Sequence, residues 1–350
     1  MIEIKNVTKK YPNITAVDHI NFEVKDGEVV GFLGPNGAGK STTMNMITGF
    51  IEPTEGQIIV NGYDISKKPR KAKKQIGYMP EGTPLYTELT VREFVSYMAD
   101  LKSVKSNQRK EMVEKTISET GLKEVENKLI RNLSRGYKQR VSLAGALVGE
   151  PEVIILDEPT VGLDPKQITE IRNLIKNLGK KHTVILSSHI LSEVSQICER
   201  VVIINHGKIV AIDTPENLEN KTKEKNTIIV TVEDPKNNMK DLQENVAEIE
   251  EIKFLKDNED GTKQYAISSS NEVDLRKKLF DILLKQEMTI FELKKSEATL
   301  EDAFIKLIDK ASEQTAEERA KDKKENNEEL KEDKQKNDND DKITEEGGEE

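Results

Sequence analysis

The stretch Val29-Val30-Gly31-Phe32-Leu33-Gly34-Pro35-Asn36-Gly37-Ala38-Gly39-Lys40-Ser41-Thr42 decides how this chain is read. Its first five residues make an apolar run of strand length, and a glycine-rich turn follows. Gly34 to Ser41 fits G-x-x-x-x-G-K-[ST], the pattern of a phosphate-binding loop that opens a helix. The glycines let successive backbone N–H groups curl around an anion. The helix behind them aims its positive end at the same place. Lys40 offers a point charge to the β- and γ-phosphates of a nucleotide, and Ser41 offers a hydroxyl to Mg²⁺. A glycine-rich turn before a core helix is the plainer alternative, and the remaining sequence decides between the two.

Upstream, residues 2–7 and 20–24 alternate apolar and polar side chains, as half-buried strands do. Tyr11 lies between them. Its ring could pack in a core, which spacing alone favours, or lie open as a platform for a purine. Downstream, the pattern predicts a helix over 40–48 ended by Gly49, a strand over 57–60 with a hairpin signal at Asn61-Gly62, and a short strand from Ile76. Lys67, Lys68, Arg70, Lys71, Lys73 and Lys74 form a basic cluster, read as a solvated face, with acidic lipid headgroups as the minor alternative. Residues 90–148 read as helical. Residues 153–156, 183–186 and 201–204 are continuous apolar runs that suit buried parallel strands, with a helix over 166–178. Strands alternating with helices predict an α/β domain with a largely parallel sheet and an inserted helical block.

Asp157 and Glu158 follow the apolar run 153–156 directly. Phosphoryl transfer needs one carboxylate for Mg²⁺ and another group to orient the attacking water, and adjacent acids at a strand end can divide those tasks. Asp157 is assigned to the metal and Glu158 to the water. His189 ends the next strand, where it could reach the γ-phosphate. His19, His182 and His206 lack such a context and are read as structural, and Cys198 as packing.

Ile155-Leu156-Asp157-Glu158-Pro159-Thr160-Val161-Gly162-Leu163-Asp164-Pro165 resembles the Walker B and D-loop of ABC transporter ATPases. Leu133 to Arg140 resembles their signature, and His189 matches their switch histidine. Tyr11 matches the aromatic that stacks on adenine, which reverses the packing preference. The resemblance covers about residues 1–220. It implies an ABC-type P-loop NTPase fold with a mixed sheet, and ATP and Mg²⁺ as cofactors. Gly34, Pro35, Asn36, Gly37, Ala38, Gly39, Lys40, Ser41 and Thr42 would bind the phosphates, with Lys40, Glu158 and His189 catalytic. Ser41, Asp157 and Glu81 would hold the metal. It also implies a head-to-tail homodimer or heterodimer in which Ser134, Gly136 and Asp164 meet the nucleotide across the interface. Arg135 stands where the signature usually has glycine, Tyr137 where it has glutamine, and Glu81 where the Q-loop has glutamine. Those departures and the C-terminal extension resemble the subgroup that serves ABC-2-type permeases, placing the chain as the ATPase subunit of an exporter at the cytoplasmic membrane face. A non-transporting ABC ATPase is the alternative. The 117 positions from Lys40 to Asp157 leave no room for the long coiled coils of repair ATPases.

Length and charge set the frame for this reading. The chain has 350 residues and a formal net charge of −10. Residues 311–350 hold 16 acidic and 8 basic residues, so the folded part is nearly neutral, which argues against a nucleic-acid partner. A single cysteine excludes an intrachain disulfide and suits a reducing compartment. No apolar run approaches ~18 residues, so a membrane role needs a spanning partner. The expected organisation is a nucleotide-binding domain over 1–220 with a helical subdomain at about 85–149, a small α+β domain over 221–310, and a disordered acidic tail over 311–350.

Overall fold

Alternating side chains shape Ile2–Tyr11 (β1) and Ile14–Val24 (β2) into an antiparallel pair running from Ile2↔Val24 to Tyr11↔Ile14. Both strands outrun their expected lengths, because register shifts between Ile4 and Lys10 let the ladder continue where strict alternation fails. Val29–Leu33 (β3) is buried throughout and feeds Lys40–Ile47 (α1), which is followed by Gly49 at φ 67°. Glu55–Val60 (β4) turns through Asn61 and Gly62, both at positive φ, into Tyr63–Asp64 (β5). The basic cluster contains a helix that its charge obscured. Pro69–Lys74 (α2) starts on its proline and buries Ala72.

Ile76–Met79 (β6) is followed by Val91–Leu101 (α3), Ser106–Glu119 (α4) and Arg135–Leu147 (α5). These helices form the inserted block around a core of their own that includes Phe94, Ile117 and Val141. Then come Val153–Asp157 (β7), Pro165–Gly179 (α6), Thr183–Ser188 (β8), Leu191–Val194 (α7), Arg200–Asn205 (β9) and Lys208–Asp213 (β10). The central sheet has the order β10-β9-β3-β8-β7-β6 and is parallel except for β10. β10 escaped the sequence reading because an edge strand exposed on one side carries a weak apolar signal. A second sheet, β2-β1-β4-β5, is antiparallel. The two sheets and α1 enclose one core, in which Phe22 and Phe32 have ring centroids 5.5 Å apart.

This computed structural model describes residues 1–82, 84–222, 226–234, 248–269 and 275–295, with 239, 242, 246, 304, 305, 307–309 and 312. The chain divides into Met1–Thr214 with Ile305 onward, and Pro215–Phe304. The break therefore falls six residues before the expected 220, where a proline opens Pro215–Thr222 (α8). Of the described residues beyond Phe304, 305 and 307–309, expected in the accessory domain, go with the first unit: Asn205 Nδ2 donates to Ile308 O (3.2 Å) and to Ser312 Oγ (3.0 Å).

The second unit holds Asn226–Glu233 (β11), Ile249–Asp257 (β12), Lys263–Ser269 (β13), Arg276–Lys285 (α9) and Thr289–Lys295 (β14), with sheet order β12-β13-β11-β14. β12 is mostly exposed and rich in charge, which hid it from pattern reading. Most of the expected 300–310 helix and, but for Ser312, the acidic tail lie outside the described residues. No helix among the described residues is long and apolar enough to cross a membrane.

Candidate functional site

The phosphate-loop sequence folds as it does because its backbone needs conformations that side chains resist. Gly37 has φ 79° and Gly39 φ 110°, both in the left-handed region. Gly34 is required for space instead: a Cβ there would collide with the Ile204 carbonyl and fall 3.1 Å from the Ala38 methyl. Gly34→Ala is expected to cost about 1–3 kcal/mol, because the loop or β9 must shift. Thermal melting with a nucleotide titration checks this, with stability and affinity expected to fall together. Lys40 is buried, and its ammonium folds back over the loop to donate to Gly34 O (2.8 Å) and Pro35 O (3.2 Å).

The acidic pair is set by β7 and its neighbour β8. Asp157 ends β7 and is buried. Glu158 follows at φ 49°, a strained value for a residue with a Cβ, which turns its side chain out of the strand's alternation. Ser187 on β8 braces both: the Glu158 N–H donates to Ser187 Oγ (3.0 Å), whose hydroxyl donates to Asp157 Oδ1. Glu158 Oε1 is 3.7 Å from Lys40 Nζ, and Oε2 is 3.0 Å from His189 Nδ1. The Glu158 side chain is only 7% exposed, and the Lys40 cation beside it offsets the cost of burying its charge. Behind the pair, Tyr78 Oη donates to Asn45 Oδ1 (3.3 Å). Burial and the nearby Asp157 carboxylate push the Tyr78 hydroxyl up to about 12, so it keeps its proton.

A cavity of about 530 Å³ opens over the loop. It brings together Asn36, Gly37, Gly39, Lys40, Ser41, Thr42, Glu81, Glu158 and His189, all expected site residues from four separate strand ends. Gly34, Pro35 and Ala38 do not line it, and Asp157 is buried away from its wall. The oxygen donors Ser41, Asp157 and Glu81 suit a hard cation. The described residues hold no cluster of three or more His, Cys, Asp or Glu able to bind a metal.

Four further expected residues stand outside the wall. Tyr11 is exposed at the end of β1, with Lys9 Nζ 5.4 Å from its ring centroid. Ser134 caps α5, accepting from Tyr137 N (3.4 Å), and Asp164 caps α6, accepting from Gln167 N (2.9 Å). Gly136 packs on Gln167, whose Cδ would lie 2.7 Å from an added Cβ. The unusual Arg135 lays its guanidinium in the space left by the absent side chain of Gly162. Conversely, Ile14, Thr15, Ala16, Val161, His206 and Gly207 line the cavity without having been anticipated. His206, read as structural, sits at the carboxyl end of buried β9. The rule that singled out His189, that sites gather at strand ends of a parallel sheet, could have found it.

Comparison with known proteins points the same way. The family described as ABC transporter matches residues 17–161. The chain is 38% identical over 219 residues to an Escherichia coli K12 protein named "Probable multidrug ABC transporter ATP-binding protein YbhF", covering 62% of this chain and 38% of YbhF's length. It is 35% identical over 310 residues to the bacitracin transport ATP-binding protein BcrA of Bacillus licheniformis, covering 88% of this chain and 97% of BcrA. Among solved structures, the dimeric post-hydrolysis state of the ATP-binding cassette MJ0796 bound to ADP and Pi matches with TM-score 0.56 and 29% identity, over 61% of this chain and 98% of that one. A match along almost all of BcrA, joined to a cassette likeness around the phosphate loop, establishes that the chain belongs to the ATP-binding proteins of ABC transporters.

Proposed function

We propose that this chain hydrolyses ATP to drive export through a separate ABC-2-type permease, docked at the cytoplasmic face of the membrane. The observation that carries the hydrolytic part is the chain of contacts Lys40–Glu158–His189, which joins phosphate loop, β7 and β8 in one cavity. Lys40 exchanges its loop carbonyls for the β- and γ-phosphates. Glu158 accepts a hydrogen bond from water and directs its oxygen at the γ-phosphorus. His189 fixes the Glu158 carboxylate through Nδ1. Ser41, Asp157 and Glu81 would hold Mg²⁺, which neutralises charge on the β- and γ-phosphates. Tyr11 lies near enough in sequence to the wall residues Ile14, Thr15 and Ala16 to serve as an adenine platform at the rim.

The site is completed by a second copy. Ser134, Gly136 and Asp164 are absent from the cavity of their own chain, yet Ser134 is exposed at the start of a 13-residue helix whose free N–H groups suit a phosphate. Two chains packed head to tail would bring that helix over the partner's loop. The dimer named in the MJ0796 structure supports this arrangement, and the bacitracin transport named for BcrA supports the exporter assignment.

The proposal expects the adjacent gene to encode a permease of about six spans, and co-expression with that gene's product tests it. The chain is expected to co-purify with the permease in detergent. Its ATP turnover is expected to stop with EDTA and return with Mg²⁺. Turnover without co-purification would remove the transporter assignment and leave the hydrolysis.

A further inference from the structure

Resting on the reading of the cavity as an ATP site, we infer that His206 holds the nucleoside half of ATP and so favours a nucleotide over a bare polyphosphate. Strand order divides the cavity. β3, which leads into the phosphate loop, has β8, β7 and β6 on one side and β9 and β10 on the other. Every ionisable wall group that could act on the γ-phosphate from outside the loop follows the first set: His189 after β8, Glu158 after β7, Glu81 after β6. A triphosphate lying across the loop with its γ-phosphate at Glu158 therefore carries its sugar and base toward the β9 side.

The wall on that side consists of Ile14, Thr15 and Ala16 at the start of β2, with His206 and Gly207 from the β9–β10 turn. It is apolar or uncharged apart from the imidazole, and it is fixed. The Gly207 N–H donates to Ala38 O (2.9 Å) in the phosphate loop, and Gly207 O accepts from the Asp18 N–H (2.9 Å). A Cβ on Gly207 would fall 2.9 Å from the Ala16 carbonyl, so the turn lies directly on β2. His206 at φ 47° and Gly207 at φ 80° are the two central residues of the β9–β10 turn, both positive as a two-residue type I′ hairpin requires. A solvated hairpin turn has no need of the bonds to the phosphate loop and to β2, whereas a ring presented to a ligand benefits from both. The exposed imidazole is the one aromatic side chain in this half of the cavity wall, and an aromatic face stacks a base whatever its identity.

The test compares ligands with and without a nucleoside that the protein cannot turn over. His206→Asn and His206→Gly remove the ring while keeping residues that accept a left-handed turn, so the loop anchors survive. Calorimetric titration of the full chain with ADP and with pyrophosphate, both with Mg²⁺, gives the readout. Both variants are expected to bind ADP about 10-fold more weakly, with pyrophosphate affinity unchanged. Unchanged ADP affinity in both variants would overturn the inference. So would an equal loss for ADP and pyrophosphate, which would make the turn a brace for the phosphate loop. A wild-type chain that binds neither ligand would instead defeat the nucleotide site itself, and this inference with it.

Discussion

Glu158→Gln is expected to lower ATP turnover by about 10²–10⁴-fold, the range that a positioned general base contributes, while ATP still binds. The substitution keeps size and shape, so the strained turn at φ 49° and the Ser187 brace on the backbone N–H remain available. What disappears is the negative charge that accepts from water and pairs with Lys40 at 3.7 Å. Breaking a buried pair costs about 3–5 kcal/mol when the surviving charge is stranded. Here Lys40 retains two carbonyl acceptors, at 2.8 and 3.2 Å, so the loss of stability should fall well below that range. With turnover blocked, nucleotide stays in place and the two-chain state accumulates. Size-exclusion chromatography with ATP should show a dimer that wild type forms only transiently. A variant with wild-type turnover would remove Glu158 from the reaction. A variant that binds ATP yet stays monomeric would refute the head-to-tail site built with Ser134 and Gly136.

Lys40→Ala is expected to weaken ADP and pyrophosphate binding alike, by about 10- to 100-fold. Hydrogen bonds to charged groups contribute roughly 1.5–3 kcal/mol each, and of the β- and γ-phosphates that the ammonium serves in ATP, ADP retains the β. The substitution also leaves Glu158, nearly buried, facing the phosphates without its cationic neighbour. Lys40→Arg should rescue little. The buried ammonium sits between two loop carbonyls, and a planar guanidinium fork cannot occupy the place of a compact point charge. Titration calorimetry measures both variants, and a loss smaller than tenfold in Lys40→Ala would contradict the assigned role. The two substitutions thus separate in kind: one retains the ligand and halts turnover, the other loses the ligand. His206 variants should differ from both by discriminating between ADP and pyrophosphate.

Much of the site was legible in the chain because its chemistry is written in short, locally folded patterns. A buried apolar strand of five residues that runs into Gly34 has few backbone routes into α1, and those routes form a phosphate loop. Likewise, Asp157 and Glu158 had to lie at a strand end, since the run before them is too apolar to be anything but buried. His189 was found by the same strand-end logic, and resemblance to a family extended the set to Glu81 and the outlying Ser134, Gly136 and Asp164. Where neighbours decide the outcome, local pattern failed. β10 and β12 are edge strands whose exposed faces dilute the apolar signal, and α2 lay hidden under its own charge.

By itself, then, the sequence named the candidate residues for the chemistry and determined that they sit at the ends of parallel strands, because strand periodicity and glycine conformation are local properties. Only the tertiary structure decided which of them share a cavity. Lys40 and Glu158 meet because β3, β8 and β7 lie side by side in the sheet, and no spacing rule reports that order. The same order put His206 and Gly207 against the phosphate loop and kept Ser134, Gly136 and Asp164 out of their own chain's site. Strand order is set by long-range burial and pairing, which couple residues far apart in the chain, so it is absent from any short stretch of it.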